Sequence, residues 1–217
     1  MSPEPSSDPE TIQSLDPILG GPGWNKRLRT DIPKGEAVEL MFRSKLRKIG
    51  NFKHVVSCKI DMPTKDRPHF FLAYGTKSSM GLATFRDTER KALVQHDRNR
   101  GKAKLRKREQ TTGMADMFSN DDSGSDKSFD EMVDSAIYNA KYEIPYFIEK
   151  NGRVVLFDKL WPHIIEKYPL RVTDIKDICL LLAKDNKIEN TWGRRPRKPQ
   201  DGTVIRLVSK GPSLDKP

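Results

Sequence analysis

From Gly152 onward the apolar positions change period repeatedly, and each change marks an element. Val154 and Val155 form a short β-branched run set off by the Asn151-Gly152 turn. Phe157, Leu160, Trp161, Ile164, Ile165 and Tyr168 then recur at the spacing of an amphipathic helix. Pro169 stops that helix, because proline lacks the amide hydrogen and crowds the preceding turn. Thr173 can cap a second helix with Ile175, Ile178, Cys179 and Leu182 as its apolar face and Asn186 at its end. Two short strands follow, near 188–192 and 203–208, around a loop holding Arg194, Arg195, Arg197 and Lys198. Strand, helix, tight turn, helix and a hairpin with a basic tip is the layout of a winged helix-turn-helix. Its first helix is predicted to start at Ser128, where Glu131 completes a capping box and Phe129, Met132, Val133 and Ile137 are apolar.

Upstream the pattern is α+β as well. Residues 1–23 are rich in proline and read as an irregular lead-in, with one helical turn near Thr11–Leu15. Asp31 is placed to cap a helix that carries Val38, Leu40, Met41, Leu46 and Ile49 and closes at Gly50-Asn51. An alternating strand over 52–62, a proline-bounded turn at 63–68 and a second strand over 70–74 predict an antiparallel hairpin. A helix from Ser78 or Ser79 to about Val94 completes a helix–hairpin–helix unit spanning 24–96. Phe52, Phe70, Phe71, Leu72 and Tyr74 read as a sheet buried on both faces, yet two strands alone are marginal in water. The C-terminal domain covers this sheet, the chain self-associates through it, or another polypeptide completes it.

From Asp97 the composition changes. Arg98, Arg100, Lys102, Lys104, Arg106, Lys107 and Arg108 form a basic block, and an acidic stretch at 119–126 follows. Such blocks bury too little apolar surface to offset chain entropy. Residues 97–127 are therefore expected to be a charged flexible linker, helical at most in its basic half. The winged domain then occupies 128–210 and a tail 211–217.

Of the 217 residues, 35% are apolar and 32% charged, and the formal charge is +10, which favours anionic partners. No apolar run approaches the ~20 residues of a membrane span, so no membrane partner is expected. The acidic, Pro/Ser-rich start is unlike a signal peptide, which points to a cytoplasmic protein. Cys58 and Cys179 fall on apolar faces and read as small buried hydrophobes rather than a disulfide.

The segment Leu156–Glu189, followed by the basic Arg194–Pro199, resembles the GMT-like winged helix-turn-helix at the end of the three-Cys-motif partner family. Gly23-Trp24, the run Leu46-x-x-Ile49-Gly50-x-Phe52 and the stretch His69–Leu82 are similar to an earlier part of that family. There the corresponding stretch is the terminal hairpin of a class I methyltransferase-like sheet and the helix after it. The resemblance spans most of residues 20–210. It implies an α+β chain in which a winged helix-turn-helix is joined by a charged linker to a methyltransferase-like remnant. The chain departs from a complete methyltransferase-like domain, however. No glycine-rich turn follows a strand, Gly20-Gly21-Pro22-Gly23 follows none, and no Asp/Asn-Pro-Pro-Tyr tetrapeptide occurs. The expectation is a chain that binds no cofactor and is non-catalytic as it stands. Two alternatives stay open: the C-terminal half of a split S-adenosylmethionine-dependent methyltransferase, and a docking adaptor for a three-Cys-motif protein.

The expected nucleic-acid contacts are Arg194, Arg195, Arg197 and Lys198 in the wing, with Arg171, Lys176 and Arg206 beside it. Pro196 and Pro199 hold the loop extended, so that it can follow phosphates or enter a minor groove. On the second helix Asp174, Asp177 and Asp185 nearly cancel Lys176 and Lys184, and base-reading side chains are absent from its first turns. Low-specificity binding to double-stranded DNA through the wing is therefore expected, with the basic block at 98–108 as a second contact or merely a solvated tether. Trp161 and Trp192 read as core residues. His54, His69, His96 and His163 are scattered, and His163–Glu166 is the one helical pair among them. Neither a metal site nor a catalytic residue is expected.

Overall fold

The computed structural model describes residues 15–113, 128–193 and 197–208. Arg194, Arg195, the acidic half of the expected linker and the tail lie outside the described residues. The chain is α+β and mostly helical, with two separate two-stranded antiparallel sheets among the described residues. It divides into two compact units, Met1–Ser78 and Ser79–Pro217. No helix among the described residues is long and apolar enough to cross a membrane.

The first unit holds a 3-10 turn at Trp24–Arg27, helix α1 (Lys34–Ile49) and strands β1 (His54–Asp61) and β2 (Pro68–Thr76). Trp24, Ala37, Val55, Val56 and Cys58 are buried. Asp31 does not cap α1. Pro33 occupies that position, and the Asp31 carboxylate takes up the Arg29 guanidinium, with Nε 3.0 Å away. The nearer cation outcompetes the helix amides for the carboxylate. The strands pair from His54 opposite Thr76 to Ile60 opposite Phe70, and the Met62 amide donating to the Arg67 carbonyl closes the loop. The Phe52 ring lies against the hairpin end. A Cβ added at Gly75 would sit 2.5 Å from that ring, so the close approach requires glycine. Phe70 and Leu72 were expected inside the sheet but are 50% and 53% exposed. Strand alternation gives them one shared face opposite Ile60 and Cys58, and that face is only partly covered.

The second unit begins with α2 (Ser79–Thr112), followed by α3 (Ser128–Lys150), β3 (Val154–Leu156), α4 (Phe157–Lys167), α5 (Val172–Lys184) and β4 (Val204–Arg206). Helix α2 corrects one expectation, for it does not stop near Val94 but runs on through the basic half of the expected linker, where helix was left open, to Thr112. Leu82, Arg86, Glu89, Leu93, Asp97 and Arg100 recur at intervals of three and four and are all buried. The inner stripe of the helix thus carries charge at most of its positions, and composition reads such residues as solvated. The helix also groups with the C-terminal elements rather than with the hairpin before it.

Helix α3 buries Ala136, Ala140, Ile144 and Ile148 along one line and continues through Pro145. Glu143 on its flank accepts a hydrogen bond from Lys167 Nζ at 2.6 Å, and His163 Nε2 stands 3.2 Å from its other oxygen. Burial alone would push the Glu143 carboxyl up. The hydrogen bonds from Lys167 and His163 outweigh it and hold the group below the ordinary carboxylate range. A depressed folded-state pKa contributes stability that is present above the unfolded carboxylate value, about 4.3, and lost as pH falls through the folded one. Glu143→Gln is therefore expected to cost about 1 kcal/mol at neutral pH and to flatten the acid limb of the stability curve. Urea unfolding at several pH values down to about 3 checks this; parallel curves for the two proteins would contradict it.

The remaining elements enclose one core in which Phe157, Leu160, Ile164, Ile165, Ile175, Ile178, Cys179 and Leu182 are buried. Pro169 ends α4 as expected, and Tyr168 is its C-terminal cap. Helix α5 starts at Val172, one residue before the expected cap Thr173, because the Asp174 carboxylate accepts the Arg171 amide at 2.9 Å. Asn186 adopts the left-handed conformation just past the helix end. The expected pairing of 188–192 with 203–208 is reduced to a single bridge between Ile188 and Leu207. Strand β4 pairs instead with β3, Val155 lying opposite Ile205. Both are buried, and this apolar contact decides the partner.

Candidate nucleic-acid interface

The described arms of the loop between Ile188 and β4 are held by side-chain contacts, the returning arm against α4 and α5. Thr191 donates its hydroxyl to the Val204 carbonyl, and the Trp192 indole donates to the Arg197 carbonyl at 3.1 Å. On the return arm the Trp161 indole donates to Asp201 Oδ1 at 3.1 Å. Lys198 pairs with the Asp177 carboxylate on α5, and Lys176 Nζ donates to Gln200 Oε1 at 3.0 Å. Trp161 and Trp192 are thus buried residues whose indole N–H groups hold the loop, as amphipathic rings do when one end must be satisfied.

These contacts sort the sequence-predicted cations. Arg171 is engaged by Asp174, its Nη2 2.9 Å from Oδ1. Burial would push the Asp174 carboxyl up, but hydrogen bonds from the Arg171 side chain and amide hold it low, and the Arg171 guanidinium is correspondingly raised. Lys176 and Lys198 are turned toward Gln200 and Asp177. Arg197 is exposed beside the Trp192 anchor, and Arg206 points outward from β4 next to buried Ile205. Arg194 and Arg195 fall outside the described residues. The structure therefore separates cations that brace the loop from those that face solvent. The sequence does not show that difference, because Asp177 and Gln200 read as ordinary surface residues.

The basic block lies on the last turns of α2. Arg98, Lys102, Arg106, Lys107 and Arg108 are exposed, Lys104 is half-buried, and Arg100 is buried and so removed from any interface. No protein-family model, curated protein or solved structure matches the chain. Function is thus read from the residues themselves.

Among the described residues no group of three or more His, Cys, Asp or Glu side chains is placed to hold a metal ion. Burial pushes the Cys179 thiol up to about 12, so it stays protonated and unreactive at neutral pH. His163 stacks on Phe147 with ring centres 4.2 Å apart and meets Glu143 across the helix pair. A shallow recess between Phe147, Asn151, Leu156 and Val204 has Lys159 as its charged lining residue. Sequence reasoning missed Tyr138, Tyr142 and Tyr146, whose spacing of four is visible along the chain.

Proposed function

We propose that residues 128–208 form a winged helix-turn-helix of the three-Cys-motif partner type, which binds double-stranded DNA with low specificity through the loop between Ile188 and β4. The order helix, strand, helix, turn, helix, loop, strand supports the reading. The bridge from Ile188 to Leu207 beside the β3–β4 pair supports it too. The observation that carries the proposal is the brace: Lys198–Asp177 and Lys176–Gln200 hold the returning arm of the loop on α5 while Arg197 is presented to solvent. An arm held in this way loses less freedom on binding than a free one. The formal charge of +10 supplies long-range attraction to phosphate. Helix α5 is a poor reader of bases, because Arg171 at its start is engaged by Asp174 and Val172–Lys184 holds no Arg, Asn or Gln.

Arg194→Ala, Arg195→Ala and Arg197→Ala combined should weaken binding to two unrelated duplexes by the same factor. The same variant should lower the slope of log affinity against log salt by about three, roughly one for each phosphate no longer neutralised. Fluorescence anisotropy over a salt series measures both quantities. Unchanged affinity and slope would remove the loop from the interface.

A further inference from the structure

Helix α3 carries Tyr138, Tyr142 and Tyr146 in one line, each a little more than half exposed at 60%, 59% and 54%. Three large aromatic rings in a row contribute little to a core they do not enter. The Tyr142 hydroxyl donates to that of Tyr138 at 3.2 Å, and the two rings meet edge to face with centres 5.1 Å apart. The arrangement is held in place rather than splayed. Two cations lie over its rings: Lys187 Nζ is 5.7 Å from the centre of the Tyr142 ring and Lys150 Nζ 4.7 Å from that of Tyr146. The neighbouring carboxylates are engaged elsewhere, Glu143 by Lys167 and His163, and Glu149 by Arg153 at 3.1 Å. Asp134, exposed one turn earlier, marks the end of the row.

We propose that this tyrosine row is a stacking platform for single-stranded nucleic acid, separate from the braced loop. Every base has an apolar face that stacks on tyrosine, and the lysines now over the rings, displaced by the bases, reach the phosphates that link them. Successive rings are offset by about 6 Å along the helix, wider than the ~3.4 Å step of a stacked strand. The row therefore accepts bases from an unstacked strand and is closed to a duplex, whose base faces are covered by their neighbours. A proline-rich segment could also lie on a row of rings, but it would offer Lys150 and Lys187 no charge to meet.

The test uses the full chain and fluorescein-labelled oligothymidylate at low salt, read by anisotropy. Tyr142→Ala should weaken binding roughly tenfold, and alanine at all three tyrosines far more. Tyr142→Phe keeps the ring and should bind as the parent does. Affinity for a duplex of equal length should be unchanged in each tyrosine variant, and circular dichroism confirms that the helices persist. The Arg194, Arg195 and Arg197 alanine variant is the converse control: it loses duplex affinity but keeps the dependence of oligothymidylate on Tyr142, so the two surfaces fail separately. Oligothymidylate binding that is absent in the parent, or equal in the triple alanine variant, overturns the proposal. So does a polyproline peptide that binds in a Tyr142-dependent way while oligothymidylate does not.

Discussion

Arg86→Met is expected to remove about 3–5 kcal/mol of folding stability, measured as a shift in the urea midpoint at unchanged slope. Arg86 projects from α2 toward α4 with 4% of its side chain exposed and pairs with Glu89, 5% exposed, at 2.6 Å. Its Nε donates to the Ile165 carbonyl at 2.7 Å, and its Nη2 reaches the Glu166 carbonyl at 3.5 Å. Those carbonyls belong to the last turn of α4, where no intrahelical donor remains. One guanidinium therefore neutralises a buried carboxylate and caps a helix end from another element. Methionine fills much of the volume but strands Glu89 and leaves the Ile165 carbonyl without its donor. Arg86→Met with Glu89→Leu should regain the part of the loss due to the stranded charge and not the part due to the helix end. A loss under about 1 kcal/mol in the single variant would show that the pair is not buried in solution.

The same interaction explains why the sequence understates α2. Apolar periodicity locates helices by a stripe of hydrophobes, and in α2 that stripe is Leu82, Arg86, Glu89, Leu93, Asp97 and Arg100. Most of its positions carry charge, so the apolar signal fades before the helix does. Charge satisfied by a specific partner cannot be recognised without knowing the partner, and Ile165 lies 79 positions further on. Where the inner face is purely apolar, as in α4 and α5, the pattern locates the elements to within a residue or two. The hairpin of the first unit is legible for a related reason: Pro63 and Pro68 bound the turn, and alternation runs on both sides of it. Strand partners are harder. Val204–Arg206 and Ile188 share β-propensity, but the buried Val155 competes for Ile205 across the core, and short-range proximity in the chain loses to apolar contact.

For the candidate interface, the sequence shows which cations are present and not which are engaged. Arg171, Lys176 and Lys198 differ from Arg197 in having Asp174, Gln200 and Asp177 within reach once α5 and the loop are folded. Each brace lies between residues 3 to 24 positions apart, and helical spacing foretells only the nearest of them, Arg171 with Asp174. Counting charges in a basic segment thus overstates what it offers to phosphate.

Phe157→Ala is expected to cost about 3–5 kcal/mol and, unlike the Arg86 substitution, to loosen the braced loop as well. Phe157 is fully buried and opens α4 directly after β3. Its amide donates to the Thr203 carbonyl at 2.8 Å, which fixes the residue immediately before β4. Lys176 Nζ, the group that reaches Gln200, lies 5.9 Å from the centre of its ring. Strand, helix, α5 and the returning arm of the loop therefore meet at one residue. Alanine keeps the amide bond to Thr203 but leaves a void beneath Lys176, and closing that void shifts the lysine that reaches Gln200 on the loop arm. The expected signature is a large fall in the urea midpoint together with faster hydrogen exchange at the Ile205 amide than at amides inside α3. Equal acceleration at both sites would mean that the void is felt only through global unfolding. A stability change under about 1 kcal/mol would mean that the core has repacked around it.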